Sequence, residues 1–217
     1  MSAISTYADD PCWLPHRYDQ RAQEIELIKV TPERFAATEF LADHNPPAAS
    51  QHARIPLDQF VAAKPEHGPV HFIFHTAFCR STLLARALNI AGVARGMSEP
   101  GIFASLAGNG KAGAALAGPV LQWLGRPTPD GEMIFAKPTN HSNALVPAIM
   151  QSHPQSRAIV MSNSLKSFLK SVNARGLLGR NWARKLYLEV QQYAPLDLGM
   201  SGAELFALSD MQAAELA

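Results

Sequence analysis

The chain lacks most of what would assign it to a specialised class. Its 217 residues include two cysteines, Cys12 and Cys79. That is too few for a disulfide framework, so a reducing compartment is expected. No apolar run approaches the ~18 residues that signal a membrane span, and the N-terminus has no apolar core of a secretion signal. Charge of one sign is also missing. Nineteen basic residues face eighteen acidic ones, for a net charge of +1. No bulk electrostatic attraction to nucleic acid or to a membrane follows. The expected setting is cytoplasmic, and any anionic ligand must be held by a local site. His44, His52, His67 and His153 show no metal-ligand spacing, and no metal is expected. Internal repeats and low-complexity linkers are absent too.

What is present is enough apolar sequence for one sizeable core: 47% of residues are apolar and 17% charged. A single domain over 1–217 is expected, with residues 1–22, which carry Pro11 and Pro15, as an extended N-terminal arm. Glu24 to Val30 reads as an edge strand. Thr31-Pro32 is a helix start, with Thr31 as cap and Pro32 at the first helical position, in a helix running to about Ala42. Asn45-Pro46-Pro47 breaks it, residues 46–55 form a loop, and a short helix follows from Pro56.

The chain is organised around residues 70–88. Val70 to Phe74 has the length and composition of a buried strand. Leu83, Leu84, Ala87 and Leu88 mark one face of a helix starting at Ser81. His75 to Arg80 is the turn between them. Free N–H groups at a helix start, with the helix dipole behind them, favour an anion, and Ser81 and Thr82 add hydroxyl donors. Further strands are expected at 93–97, 132–136 and 156–161. Helical segments should fill 101–125 with a glycine-rich break at 108–113, then 143–153, 165–172 and 182–193, and a last one from Gly202. A turn or exposed loop is expected at 126–131, and a loop at Gly176 and Gly179.

Strands alternating with helices predict an α/β fold: a central, mostly parallel sheet flanked by helices in three layers, as in P-loop proteins. Ligands in such sheets bind beyond the carboxyl ends of the strands. Polar clusters fall at four of those ends: 75–82, 98–100, 137–141 and 162–167. The loop at 75–82 is not a Walker A sequence, since it has no glycine and carries Cys79 and Arg80 instead. An arginine nonetheless suits an anion bidentately. Gly108-Asn-Gly-Lys111-Ala-Gly113 follows no strand and lacks the Ser/Thr that would bind magnesium. Glu99 is placed to act as a base toward a hydroxyl, Lys137 to neutralise a bridging phosphate oxygen, and His141 as a second candidate base. Each of these three also has an ordinary structural reading, as turn acid, surface lysine or helix-cap neighbour.

Arg80-Ser-Thr-Leu-Leu-Ala-Arg-Ala-Leu88 after a strand, the Ala91-Gly-Val93 stop and then Ser98-Glu99-Pro100 resemble the sulfotransferases that use 3′-phosphoadenosine 5′-phosphosulfate (PAPS). The likeness is greatest to the bacterial branch of the trehalose 2-sulfotransferase type, and it covers about residues 70–175. It implies a P-loop-like fold and transfer of a sulfuryl group to a small-molecule hydroxyl acceptor, with a homodimer left open. It implies that Thr76, Ala77, Phe78, Cys79, Arg80, Ser81 and Thr82 hold the 5′-phosphosulfate, and that Glu99 is the general base. Lys137-Pro-Thr-Asn-His141 is similar to the family's Lys-Thr-His at the end of its second strand. Asn163 and Ser171 stand where the family places the arginine and serine that bind the 3′-phosphate. The alternatives on the residues themselves are a nucleotide- or phosphate-binding protein without catalysis, or a kinase-like phosphoryl transferase.

Overall fold

The computed structural model of the chain describes residues 3–37, 40–42, 51–191 and, near the C-terminus, 204, 207 and 212. The expected breaker at 45–47, His44 and most of the helix expected from Gly202 lie outside the described residues. Two compact units are formed: Met1–His75 with Arg80–Val160, and Thr76–Cys79 with Met161–Ala217.

The first unit opens differently from the sequence expectation. In place of an extended arm, residues 3–19 form a helix, α1 (Ala3–Ala8), and a strand, β1 (Trp13–Asp19). Trp13, Leu14 and Tyr18 are buried. Pro15 had argued for an arm, but it sits at a register shift in an edge strand, where a proline removes no needed ladder bond. The second strand, β2 (Glu24–Lys29), is central rather than an edge: it pairs antiparallel with β1 on one side and with β3 (Gln51–Pro56) on the other. Burial of Ile25, Leu27 and Ile28 accounts for its place. Residues 51–55, expected in a loop, thus belong to a strand. The predicted helix start at Thr31-Pro32 is present as α2 (Pro32–Ala37), while residues 40–42 are not helical. The short helix after Pro56 is α3 (Leu57–Ala63).

The second sheet of this unit carries the strand ends singled out in the sequence. Its strands are β4 (Val70–His75), β5 (Ala94–Ser98), β6 (Met133–Lys137) and β7 (Ala158–Met161), in the order β5-β6-β4-β7. The pairs β4–β6 and β5–β6 are parallel. Between the strands run α4 (Ser81–Ala87), α5 (Gly101–Gly108), α6 (Gly110–Ala114), α7 (Ala117–Leu124), a 3-10 turn (Asn140–Leu145) and α8 (Val146–Ser152). The class is the expected one: α/β, with a mostly parallel central sheet flanked by helices, consistent with a three-layer P-loop-like fold. Phe72, Phe74, Met97, Phe103, Val120, Trp123 and Ile149 share a continuous apolar core with Ile25, Leu27 and Phe60 of the first sheet region. Gly96 lets α4 approach β5, since a Cβ there would collide with the Ala85 carbonyl. The strand β7 is at the sheet edge, with Ile159 and Val160 exposed.

One other segment differs from its expected form. The glycine-rich break at 108–113 is mostly helical, and Gly113 is small because it abuts the backbone of Leu106. At 126–131 the chain makes a turn, with the Gly131 N–H donating to the Thr128 carbonyl at 3.0 Å, and Arg126 and Thr128 are buried. The Arg126 guanidinium donates to the carbonyls of Tyr7 (2.6 Å), Ala8 (3.2 Å), Asp10 (3.1 Å), Trp123 (2.7 Å) and Trp13. One five-donor fork therefore ties the N-terminal segment to the end of α7.

The second unit pairs the loop segment Thr76–Cys79 with α9 (Leu165–Ala174) and α10 (Gly176–Val190). Ser164 caps α9, its hydroxyl accepting from the Ser167 N–H. Gly176 and Gly179 do not mark a loop. Gly176 opens α10 at φ +56°, and Gly179 lies so close to the Val172 carbonyl that a side chain would clash. Both glycines serve a sharp turn and a close helix crossing. Phe78 packs on Trp182 and Phe168, with ring centroids 4.9 and 5.8 Å away, under the Arg175 guanidinium at 4.2 Å. Among the described residues, no helix of either unit is long and apolar enough to cross a membrane.

Candidate functional site

Three neighbouring parallel strands end side by side, and each delivers one ionisable group. His75 is the last residue of β4, Lys137 the last of β6, and Glu99 follows β5. The register sets Ser98 opposite Lys137, so Glu99 begins its turn beside the lysine's backbone. Its N–H donates to the Lys137 carbonyl at 2.7 Å. Glu99 takes a left-handed backbone, φ +52°. A residue before proline is ordinarily extended, and left-handed backbone costs an L residue about 1–2 kcal/mol. Such strain at a strand-end carboxylate is what a functional constraint produces.

The side chains complete the link. Lys137 Nζ donates to Glu99 Oε1 at 2.6 Å. The lysine side chain is 1% exposed and the glutamate 17%, so the ammonium is the buried partner and the carboxylate reaches toward solvent. His75 Nε2 lies 3.4 Å from Lys137 Nζ and 3.1 Å from the Pro138 carbonyl. One nitrogen cannot both donate and accept, so the ring tautomer decides which neighbour it serves. Burial first, and then the Lys137 charge, push the His75 imidazole down to about 4, so it is neutral near pH 7. The Asn143 amide donates to the His75 carbonyl at 3.1 Å and fixes the end of β4. Lys137 Nζ also stands 5.8 Å over the Phe40 ring.

The loop after β4 solves its missing glycines in an unusual way. Ala77, Phe78 and Arg80 all adopt left-handed backbone, at φ +70°, +51° and +64°. Three side-chain-bearing residues thus occupy conformations that glycine takes freely. Among the described residues, the backbone N–H groups of Phe78, Cys79, Arg80, Ser81 and Thr82 meet no acceptor. Arg80 is exposed, Ser81 buried, and Cys79 and Thr82 half-buried. The Thr76 N–H is already engaged with the Met161 carbonyl at 3.1 Å.

Within the second unit, the positions expected to hold a 3′-phosphate are occupied by local bonds. Asn163 Nδ2 donates to the Phe78 carbonyl at 3.3 Å, and its Oδ1 accepts from the Ser164 N–H at 3.0 Å. The Ser171 hydroxyl donates back to the Ser167 carbonyl at 3.0 Å. His141 sits half-buried in the 3-10 turn after β6. The structure brings Glu99 and Lys137 into direct contact, and it adds His75, which sequence reasoning had placed merely at the start of a turn. A histidine closing a buried strand was the only signal for it; its neighbours come from residues 24 and 62 positions away. Compared with protein-family models, curated proteins and solved structures, the chain matches none.

Proposed function

We propose that the chain is a sulfotransferase-like protein that transfers a sulfuryl group from PAPS to a hydroxyl acceptor in a cytoplasmic setting. The observation that carries this reading is the Glu99–Lys137 pair at the ends of adjacent parallel strands, with Glu99 held in strained backbone. A partly exposed carboxylate fixed by a buried ammonium is suited to take a proton from an acceptor hydroxyl. The acceptor oxygen gains its bond to sulfur, the bond from sulfur to the phosphate oxygen breaks, and the proton goes to Glu99. Adenosine 3′,5′-bisphosphate leaves. Lys137 was expected at the bridging oxygen; buried in its ion pair, it serves first to position Glu99. His141 is the second candidate base. Thr76, Ala77, Phe78, Cys79, Arg80, Ser81 and Thr82 would hold the phosphosulfate, supported by the unpaired N–H groups from Phe78 to Thr82 and the exposed Arg80 side chain.

The donor set fits the phosphosulfate end of PAPS better than the 3′-phosphate end. The side-chain amide of Asn163 is engaged at both ends, and the Ser171 hydroxyl is spent within its helix. That observation favours a second reading, a nucleotide- or phosphate-binding protein without catalysis. Calorimetric titration with adenosine 3′,5′-bisphosphate separates the possibilities. Binding that is lost in Arg80→Ala, with turnover that is lost in Glu99→Gln at unchanged nucleotide affinity, supports the transferase. Binding without turnover supports the non-catalytic reading. Binding of only ATP with magnesium sinks the transferase in favour of a kinase-like enzyme.

A further inference from the structure

Far along the chain from the strand-end carboxylate, two histidines meet. His67 lies in the loop between α3 and β4, and His153 caps the C-terminus of α8. Their ring centroids are 5.1 Å apart with the planes at 62°. His67 Nδ1 faces the Pro65 carbonyl at 3.0 Å. A carbonyl only accepts, so Nδ1 carries the hydrogen, and in the neutral ring Nε2 keeps its lone pair. Tying one ring nitrogen to a carbonyl is how a metal-ligating histidine is oriented. His153 is the more telling residue: both of its ring nitrogens are buried and neither has a partner. A buried ring nitrogen ordinarily has a partner, and an orphan of this kind calls for an explanation.

We propose that His67 and His153 form a two-histidine site for a divalent transition-metal ion of the zinc or nickel type. Imidazole nitrogen at about 2.0–2.1 Å from a tetrahedral ion places two ring centroids about 5 Å apart. The observed separation meets that requirement without movement of the backbone. Both backbones are fixed: the Gly68 N–H donates to the Gly125 carbonyl at 2.8 Å, and the Ser156 N–H to the His153 carbonyl at 2.9 Å. His67 is exposed, so an ion can approach the pair from solvent. Among the described residues no group of three or more His, Cys, Asp or Glu assembles. Water or an incoming ligand therefore completes the coordination. Bound there, the ion would clamp the loop before β4 to the end of α8. Sequence spacing could not reveal the pair, because the two residues are 86 positions apart.

The test is titration of the tag-free chain with zinc chloride by calorimetry, repeated with His67→Ala and His153→Phe. The expected result is one ion per chain, with affinity falling at least tenfold in each variant and no further in the double variant. A rise in melting temperature with zinc should accompany binding in the parent chain and vanish in His67→Ala. Absence of zinc binding at millimolar free ion overturns the proposal, as does binding that His67→Ala leaves unchanged. Should His153→Phe fail to fold, the exposed His67→Ala decides alone.

Discussion

Removing Glu99 should destabilise the chain far more than removing Lys137, although the two share one ion pair. The reason is the asymmetry of their burial. Lys137 is 1% exposed, so Glu99→Ala strands an ammonium in the protein interior. Breaking a buried pair in this way costs roughly 3–5 kcal/mol. Glu99 is 17% exposed, and in Lys137→Met its carboxylate can turn to water while the methionine fills the volume of the lysine stem. That variant should lose no more than about 2 kcal/mol, because a partly hydrated charge forfeits one charge-assisted bond. The double variant should recover most of the loss, since neither charge remains. The expected coupling is about 2 kcal/mol or more, well above the roughly 0.5 kcal/mol within which independent sites add. Urea denaturation reads it: midpoints should shift at constant slope. Equal losses for the two single variants, or additivity in the double, would refute the reasoning and leave the pair a surface contact of little worth.

Other outcomes follow from the same geometry. His75 has a folded value of about 4 against an ordinary 6.5, so the unfolded chain binds a proton first. The stability it contributes is present above pH 6.5 and is lost as pH falls toward 4, by roughly 3 kcal/mol in all. His75→Gln should flatten a plot of unfolding free energy against pH over that window; an unchanged slope counts against the burial argument. Arg126→Ala should cost at least about 3 kcal/mol, because five carbonyls lose one fork of donors, and limited proteolysis should then cut between Tyr7 and Trp13; resistance of that segment would show that the fork is dispensable. Ala77→Gly should be neutral or stabilising by up to about 1 kcal/mol in melting experiments, since glycine removes the left-handed penalty at φ +70°. A clear loss would mean that the Ala77 methyl matters more than the strain.

The sequence alone determined the class and the direction of the chain. The apolar run at 70–74, the helix face at 83–88 and the turn chemistry between strands were enough for a parallel α/β sheet, because those signals are local and periodic. The strand ends that carry Glu99 and Lys137 were legible for the same reason. What the sequence could not supply was partnership. Pro15 looked like a mark of an extended arm, because only its neighbours β2 and Arg126 make β1 a paired and buried strand. Gly176 and Gly179 looked like a loop, because the helix they press against is folded from a separate stretch. The left-handed backbone at Ala77, Phe78, Arg80 and Glu99 has no local signature, since each residue is held there by its surroundings and against its own preference. Tertiary structure also decided that Lys137 is buried against Glu99 and that His75 joins them, for the physical reason that side-by-side strands bring together residues that the chain keeps tens of positions apart.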